Sequence, residues 1–286
     1  MKRLILFMVI CPVLVFAGIA QRMQSVAKKK VAASTDIQLV QDGDGTWWEI
    51  PNSVGTNNMI LAHIYPSDPA GTYVDYSASD NDGTQATSGY RPAFTTNNGG
   101  RVYFDGTDDC YDLASNPAID SSDFSVVVWA YIIDDGNDDC FIGRDLVFTG
   151  GSQYGWWFVG DGKLANKGGL LFRRNEGDAT LYTAPSSDTN ITFGAWNMYS
   201  VTYDVDTGNT CLYFGTTPDS GNPQTLGTGS IAYDAGTDQD TNIGVRDFGG
   251  TPERFTESFV GFIGIFDKTL SASEITNVYH STTNRY

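Results

Sequence analysis

One run, Phe124 to Ile133, is apolar almost without interruption, and it is followed at once by Asp134-Asp135-Gly136-Asn137-Asp138-Asp139. A short continuous apolar run bounded by turn residues reads as a central strand covered on both faces. Gly and Asn accept positive φ and Asp closes turns with its side chain, so the chain must reverse after it. The same alternation of short strand and turn recurs along the sequence. Met59 to Tyr65 is stopped by Pro66, Arg101 to Phe104 and Cys110 to Leu113 flank an Asp-rich string, and Cys140 to Ile142, Gly155 to Val159 and Gly169 to Arg173 follow. Trp196 to Tyr203 and Thr210 to Phe214 read as a hairpin across residues 204–209, and Phe259 to Phe266 is a late strand. The exception is helical: Ser271 can cap, Glu274 sits three residues on, and Ile275 and Val278 follow. Strands at short intervals with Gly, Asn and Asp turns predict an all-β antiparallel sandwich, with one short C-terminal helical turn.

The 286 residues are 41% hydrophobic, enough to bury a full core, and all-β sandwiches of this size commonly form one domain. With 34 Asp and Glu against 17 Lys and Arg, the net charge of −17 repels phosphate backbones and anionic lipid. Nucleic acid is therefore excluded as a partner, whereas calcium or neutral sugars suit such a surface. An acidic surface also serves plain solubility.

Lys2 and Arg3 precede an apolar run from Leu4 to Ala20, and Gly18-Ile19-Ala20 offers small residues at alternate positions. Residues 1–20 therefore read as a secretory signal peptide, with an uncleaved anchor as the alternative because the run is only just long enough to span a bilayer. Residues 21–45 are polar and read as a tether, and 46–286 as the sandwich. The expected location is secreted or at the cell surface, with membrane contact only through an uncleaved N-terminal segment. Beyond the leader lie Cys110, Cys140 and Cys211, an odd number that permits at most one disulfide and lacks the close spacing of a zinc site.

Several ordered pieces resemble one family. Gly99-Gly100-Arg101-Val102-Tyr103-Phe104-Asp105-Gly106-Thr107-Asp108-Asp109 is followed by Phe124-Ser125-Val126 through Trp129. Next come Trp196 leading to Val201-Thr202-Tyr203-Asp204, then Leu212-Tyr213 and Ile243-Gly244. The stretch closes on Gly261 to Ile275, containing Asp267-Lys268-Thr269-Leu270-Ser271. Over residues 59–280 the chain resembles the laminin-G-like domains of the concanavalin A-like lectin/glucanase superfamily, which implies a jelly roll of two curved antiparallel sheets. That fold serves lectins, adhesins, glycosidases and surface proteins alike, so the site must decide.

Glucanases of the superfamily carry Glu-x-Asp-x-Glu on one strand, which sets two carboxylates on one face at the spacing that glycoside hydrolysis needs. No such triplet occurs here, and His63 and His280 are the only histidines. No catalytic residue is expected and the chain is read as no enzyme. For a cofactor, the resemblance implies Ca2+ in an early loop, here Asp75-Tyr76-Ser77-Ala78-Ser79-Asp80-Asn81-Asp82-Gly83, with Asp75, Asp80 and Asn81 as ligands of the hard-oxygen kind that calcium takes. The chain departs from the family pattern at Ala78, Ser79 and Gly261, the last standing where relatives often have an Asp.

A sugar-binding surface needs flat rings on which pyranose C–H faces stack. The candidates are Trp47 and Trp48, Trp156 and Trp157, and Tyr90. Adjacent residues of a strand point to opposite faces, so one member of each pair is expected to be exposed. Trp129 and Trp196, in matched strands, are assigned to packing. Glycans or glycoproteins are the expected partners of a secreted binding or adhesive module. The alternative is a structural or interaction protein of a cell surface or particle that uses the same sandwich without binding glycans.

Overall fold

In the computed structural model, residues 37–286 are described apart from 42–46, 52–58, 66–67, 78, 80, 98–99, 114–118, 120–121, 145–147, 150–151, 154, 161–167, 176–180, 229–230, 232–239 and 248–251. The signal segment thus lies outside the described residues. Strands are numbered along the chain. The first six are β1 (Ile37–Gln41), β2 (Trp47–Pro51), β3 (Met59–Ile64), β4 (Thr72–Tyr73), β5 (Gly83–Thr84) and β6 (Ala93–Thr95). Next are β7 (Arg101–Asp105), β8 (Tyr111–Leu113), β9 (Phe124–Ile132), β10 (Asp139–Arg144), β11 (Phe148–Thr149), β12 (Ser152–Gln153) and β13 (Trp156–Gly160). They are followed by β14 (Leu170–Asn175), β15 (Leu181–Pro185), β16 (Trp196–Tyr203), β17 (Asn209–Phe214), β18 (Thr217–Pro218) and β19 (Gln224–Thr225). The last are β20 (Thr241–Ile243), β21 (Arg246–Asp247), β22 (Pro252–Glu253) and β23 (Glu257–Phe266), before the helix α1 (Ala272–Thr282).

Two antiparallel sheets make the sandwich. One has nine strands in the order β18-β17-β16-β9-β23-β7-β6, with β19 added to β17 and β3 to β23. The other has eight, in the order β15-β14-β13-β10-β20-β8-β5-β4. Three small ribbons, β1-β2, β11-β12 and β21-β22, stand apart. β1 lies within the segment read as a tether, so strand structure begins before residue 46.

The core between the sheets follows from the period-two alternation of strands. Phe124, Val126, Val128, Ala130 and Ile132 of β9 point inward and meet residues such as Phe141, Trp156, Phe158 and Phe172 of the other sheet. The other face of β9 is covered as well: Val127 and Trp129 lie under α1 with Met198, Phe262, Ile275 and Val278. Cover on both sides is why β9 reads as an unbroken apolar run. Ser271 and Glu274 form the expected capping box, satisfying N–H groups that the first helical turn leaves without partners. Ser125 Oγ donates to the Lys268 carbonyl at 2.8 Å and accepts from Leu270 N at 2.9 Å, which fixes the approach to the helix.

β23 carries one irregularity. Its register against β9 shifts between Val260 and Phe262, so that Phe259 stands opposite Tyr131 and Phe262 opposite Trp129. The extra residue is Gly261, and this β-bulge puts Phe259 and Phe262 on the same outer face although they are three positions apart. Gly261 also leaves room for a ring, since a Cβ there would come within 2.1 Å of Tyr286.

Candidate functional site

On the outer face of the nine-stranded sheet, beyond the end of α1, four aromatic side chains lie in cross-strand register. Tyr103 of β7 pairs with Phe259 of β23, Phe259 with Tyr131 of β9, and Tyr131 with Trp196 of β16. Their inward neighbours Val102, Phe104, Ala130, Ile132 and Val260 are buried, whereas the four rings are each half-buried and keep an edge or face to solvent. Ring centroids are 4.7 Å apart for Tyr103 and Phe259, 5.7 Å for Phe259 and Tyr131, and 6.1 Å for Tyr131 and Trp196. Such separations fall in the favourable range for aromatic pairs, so the row is held by its own contacts. Arg101 lies over Phe259 and Trp196, its Cζ 4.5 and 5.5 Å from the two ring centres, and desolvation lowers its pKa. At the other end the Tyr103 hydroxyl donates to Glu257 Oε1 at 3.4 Å. Tyr286 stacks on both Trp196 and Trp129 and marks the boundary with the helix-covered half of the face. Trp196 thus packs against the cluster beneath the helix, as expected, and in addition keeps part of its surface open as the end of the row.

The sequence candidates fall elsewhere. Trp156 and Trp157 do point to opposite faces, as alternation requires, yet both are 1% exposed. Trp156 packs in the main core 5.8 Å from Phe124, and Trp157 joins Cys140, Val159 and Leu171 on the other face of the eight-stranded sheet. The expectation that one of the pair is solvent-exposed is overturned because both faces of this part of the sheet are covered. Tyr90 is exposed, in a short 3-10 turn, away from that pair. Trp47 and Trp48 lie in β2, beside α1, and their side chains are outside the description.

The loop expected to hold calcium is built around Asp75. Its Oδ1 accepts from the N–H groups of Ala62 and Ser77, both at 2.8 Å. Its Oδ2 accepts from Ser77 Oγ at 2.7 Å and Asn81 N at 2.8 Å. Four donors occupy the roughly four lone-pair positions of a carboxylate. The Asn81 side chain donates to the Ile60 carbonyl, and Asp82 accepts from Asp75 N. Asp75 and Asn81 are therefore brought together, with the Asp75 carboxylate held by three backbone N–H groups and the Ser77 hydroxyl. Asp80, the third candidate, lies outside the described residues. The tie is anchored by His63, whose Nε2 is 3.1 Å from the Asn81 carbonyl and whose Nδ1 is 3.0 Å from the Tyr111 hydroxyl. Burial pushes the His63 pKa down to about 4, which keeps the ring neutral. Both ring nitrogens are engaged in the interior, so His63 is a structural residue, and His280 is exposed on α1.

The Asp105 to Asp109 string closes a turn. Asp105 Oδ1 accepts from Thr107 N and Asp108 N, and Asp109 Oδ2 accepts from Asp105 N. Burial and the neighbouring Asp105 carboxylate raise the Asp109 pKa to about 6. The three cysteines are free thiols, and burial pushes Cys110 and Cys140 up to about 12, far from a reactive thiolate.

Comparison with known proteins agrees with this architecture. The family model described as the concanavalin A-like lectin/glucanases superfamily matches residues 105–276. No curated protein sequence matches. Among solved structures, the binding domain of Paraclostridial mosquitocidal protein 1 superposes with a TM-score of 0.57 at 13% identity, covering 80% of this chain and 53% of that one. The botulinum neurotoxin type G receptor binding domain gives 0.54 at 15% identity over 78% and 51% of the two chains. The botulinum neurotoxin serotype D ligand binding domain in complex with N-acetylneuraminic acid gives 0.55 at 16% identity over 79% and 51%. This chain spans about half the length of each, and at such identities the likeness is one of fold.

Proposed function

The chain belongs to the concanavalin A-like lectin/glucanase superfamily, and from that premise we propose that it is a non-catalytic, extracellular carbohydrate-binding module whose platform is the row Tyr103, Phe259, Tyr131 and Trp196. The observation that carries this reading is the register. Four rings on four adjacent strands, all partly open to water, form a strip about 14 Å long at the usual strand spacing of about 4.8 Å. A strip of that length suits an oligosaccharide whose pyranose C–H faces lie on successive rings, with Arg101 and the Tyr hydroxyls as hydrogen-bond donors at its margins. The sialic acid complex of the serotype D neurotoxin domain supports glycans as a partner class for this fold. The interior position of His63 and the absence of a Glu-x-Asp-x-Glu triplet support binding without turnover. Binding is calcium-independent on this reading, because the Asp75 carboxylate is already saturated by protein donors.

A glycan array tests the proposal with the parent protein, Trp196→Ala and Tyr131→Ala, each checked for an unchanged circular dichroism spectrum. Binding should fall by roughly tenfold or more in both variants, since stacking and apolar burial of this kind contribute on the order of 1–2 kcal/mol per ring. Parent-level binding by both variants, or a parent that binds a protein ligand and no glycan, would overturn it in favour of an interaction scaffold.

A further inference from the structure

The eight-stranded sheet carries on its outer face a cluster of a different chemistry. Trp157 of β13 stands directly opposite Arg173 of β14 on one side and Gly143 of β10 on the other. Gly143 is where the indole needs space: a Cβ there would come within 2.9 Å of the Trp157 Cβ and 3.0 Å of the Trp156 carbonyl. Two guanidiniums lie against this one ring, Arg246 from β21 with its Cζ 4.2 Å from the ring centre and Arg173 with its Cζ at 5.3 Å. Each cation–π contact favours its arginine, yet the two like charges oppose each other, and desolvation together with Arg246 lowers the pKa of Arg173. No carboxylate pairs with Arg173 among the described residues, its Nε has no hydrogen-bond acceptor, and neither has the buried indole N–H of Trp157. In a chain of net charge −17, with acidic groups available almost everywhere, a partly buried arginine left without an anion beside a second arginine is a costly arrangement. Both arginine residues are half-buried, whereas the Trp157 indole beneath them is fully buried.

We infer that Arg173 and Arg246, mounted on Trp157, form a receiving site for an oxyanion, the carboxylate or sulfate ester of an acidic sugar. A planar guanidinium presents paired N–H donors in the geometry that carboxylate and sulfate accept, and stacking on the indole fixes that plane before the ligand arrives. An arriving anion supplies the acceptors that Arg173 lacks and relieves its repulsion with Arg246. The surrounding negative charge repels acidic ligands at long range, so the site selects a single anionic group on an otherwise neutral sugar rather than a polyanion. This site lies on the opposite sheet from the aromatic row and does not depend on it.

Isothermal titration of the full chain with glucuronic acid, glucose 6-sulfate and glucose tests the assignment and separates the two sources of the anion. The expected result is binding of glucuronate, of the sulfate, or of both, with no response to glucose. Arg173→Gln should weaken binding by roughly tenfold or more, the usual effect of losing a charge-assisted pair. Arg173→Lys keeps the charge without the fork and should fall between the two. Thermal melting of both variants within a few degrees of the parent shows that they fold. Trp196→Ala should retain the parent's affinity for the acidic sugar, so failure of the aromatic-row reading and failure of this one are distinguishable. Equal binding of glucose and glucuronate, no binding of either acidic sugar, parent-like affinity in Arg173→Gln, or loss of affinity in Trp196→Ala would each overturn the assignment.

Discussion

Trp129 and Tyr131 stand two residues apart on the same strand and the same face, yet they live in different surroundings. Trp129 is 2% exposed beneath α1, stacked on Tyr279 and Tyr286, with its indole N–H donating to Thr282 Oγ1 at 2.6 Å. Tyr131 lies just past the helix and is half-buried between Phe259 and Trp196. The outer face is therefore one aromatic surface divided by a helix, with a packed half and an open half. The difference teaches that on a sandwich of this kind an aromatic side chain is assigned to packing or to binding by what covers it.

Stability measurements can break that comparison. Trp129→Ala should lower the free energy of unfolding by about 3–5 kcal/mol, as for other buried aromatic truncations, whereas Tyr131→Ala should cost under about 1.5 kcal/mol. Equal shifts in urea midpoint for the two variants would erase the distinction between the halves. The effect of complete cover on charge sharpens the point at His63. Its pKa falls from an ordinary 6.5 to about 4 on burial, so below pH 6.5 the unfolded chain takes up a proton that the folded chain refuses. Stability should decline as pH falls from 6.5 toward 4, by up to about 3 kcal/mol, and the decline should flatten in His63→Gln. Asp109, with its pKa raised to about 6, works in the opposite direction: its carboxyl opposes folding as pH rises from about 4 to 6. An unchanged slope in His63→Gln would show that the ring is not the group that titrates. The smallest expected effect is that of calcium. Addition of Ca2+ and then chelator should leave the melting midpoint where it was, because an ion bound only by the folded state must raise it. A rise abolished by Asp75→Asn would show that the loop opens to the ion.

Much of this architecture was legible in the residues. The capping box at Ser271 and Glu274, the doubly covered strand at Phe124, and the hairpin joining Trp196–Tyr203 to Asn209–Phe214 each rest on contacts close in sequence. The aromatic row was not legible, because Tyr103, Tyr131, Trp196 and Phe259 come from four strands scattered over the chain and meet only through register. The alternation at Trp156 and Trp157 correctly sends them to opposite faces, but no local pattern tells that both faces are covered there. At Asp75 the residue types of a cation loop are present, and what redirects them includes the backbone N–H of Ala62, a donor from a strand thirteen residues away.

The bulge at Gly261 makes the row depend on strand register rather than on composition. The glycine acts as a phase correction: the segment before it and the segment after it each alternate properly, half a period out of step, and both present rings to the same side. Were Gly261 drawn into the ladder as an ordinary paired residue while the Phe262 end stays opposite Trp129, Phe259 would turn inward and Val260 outward, and the surface would lose a member of the row with every aromatic residue still in the sequence.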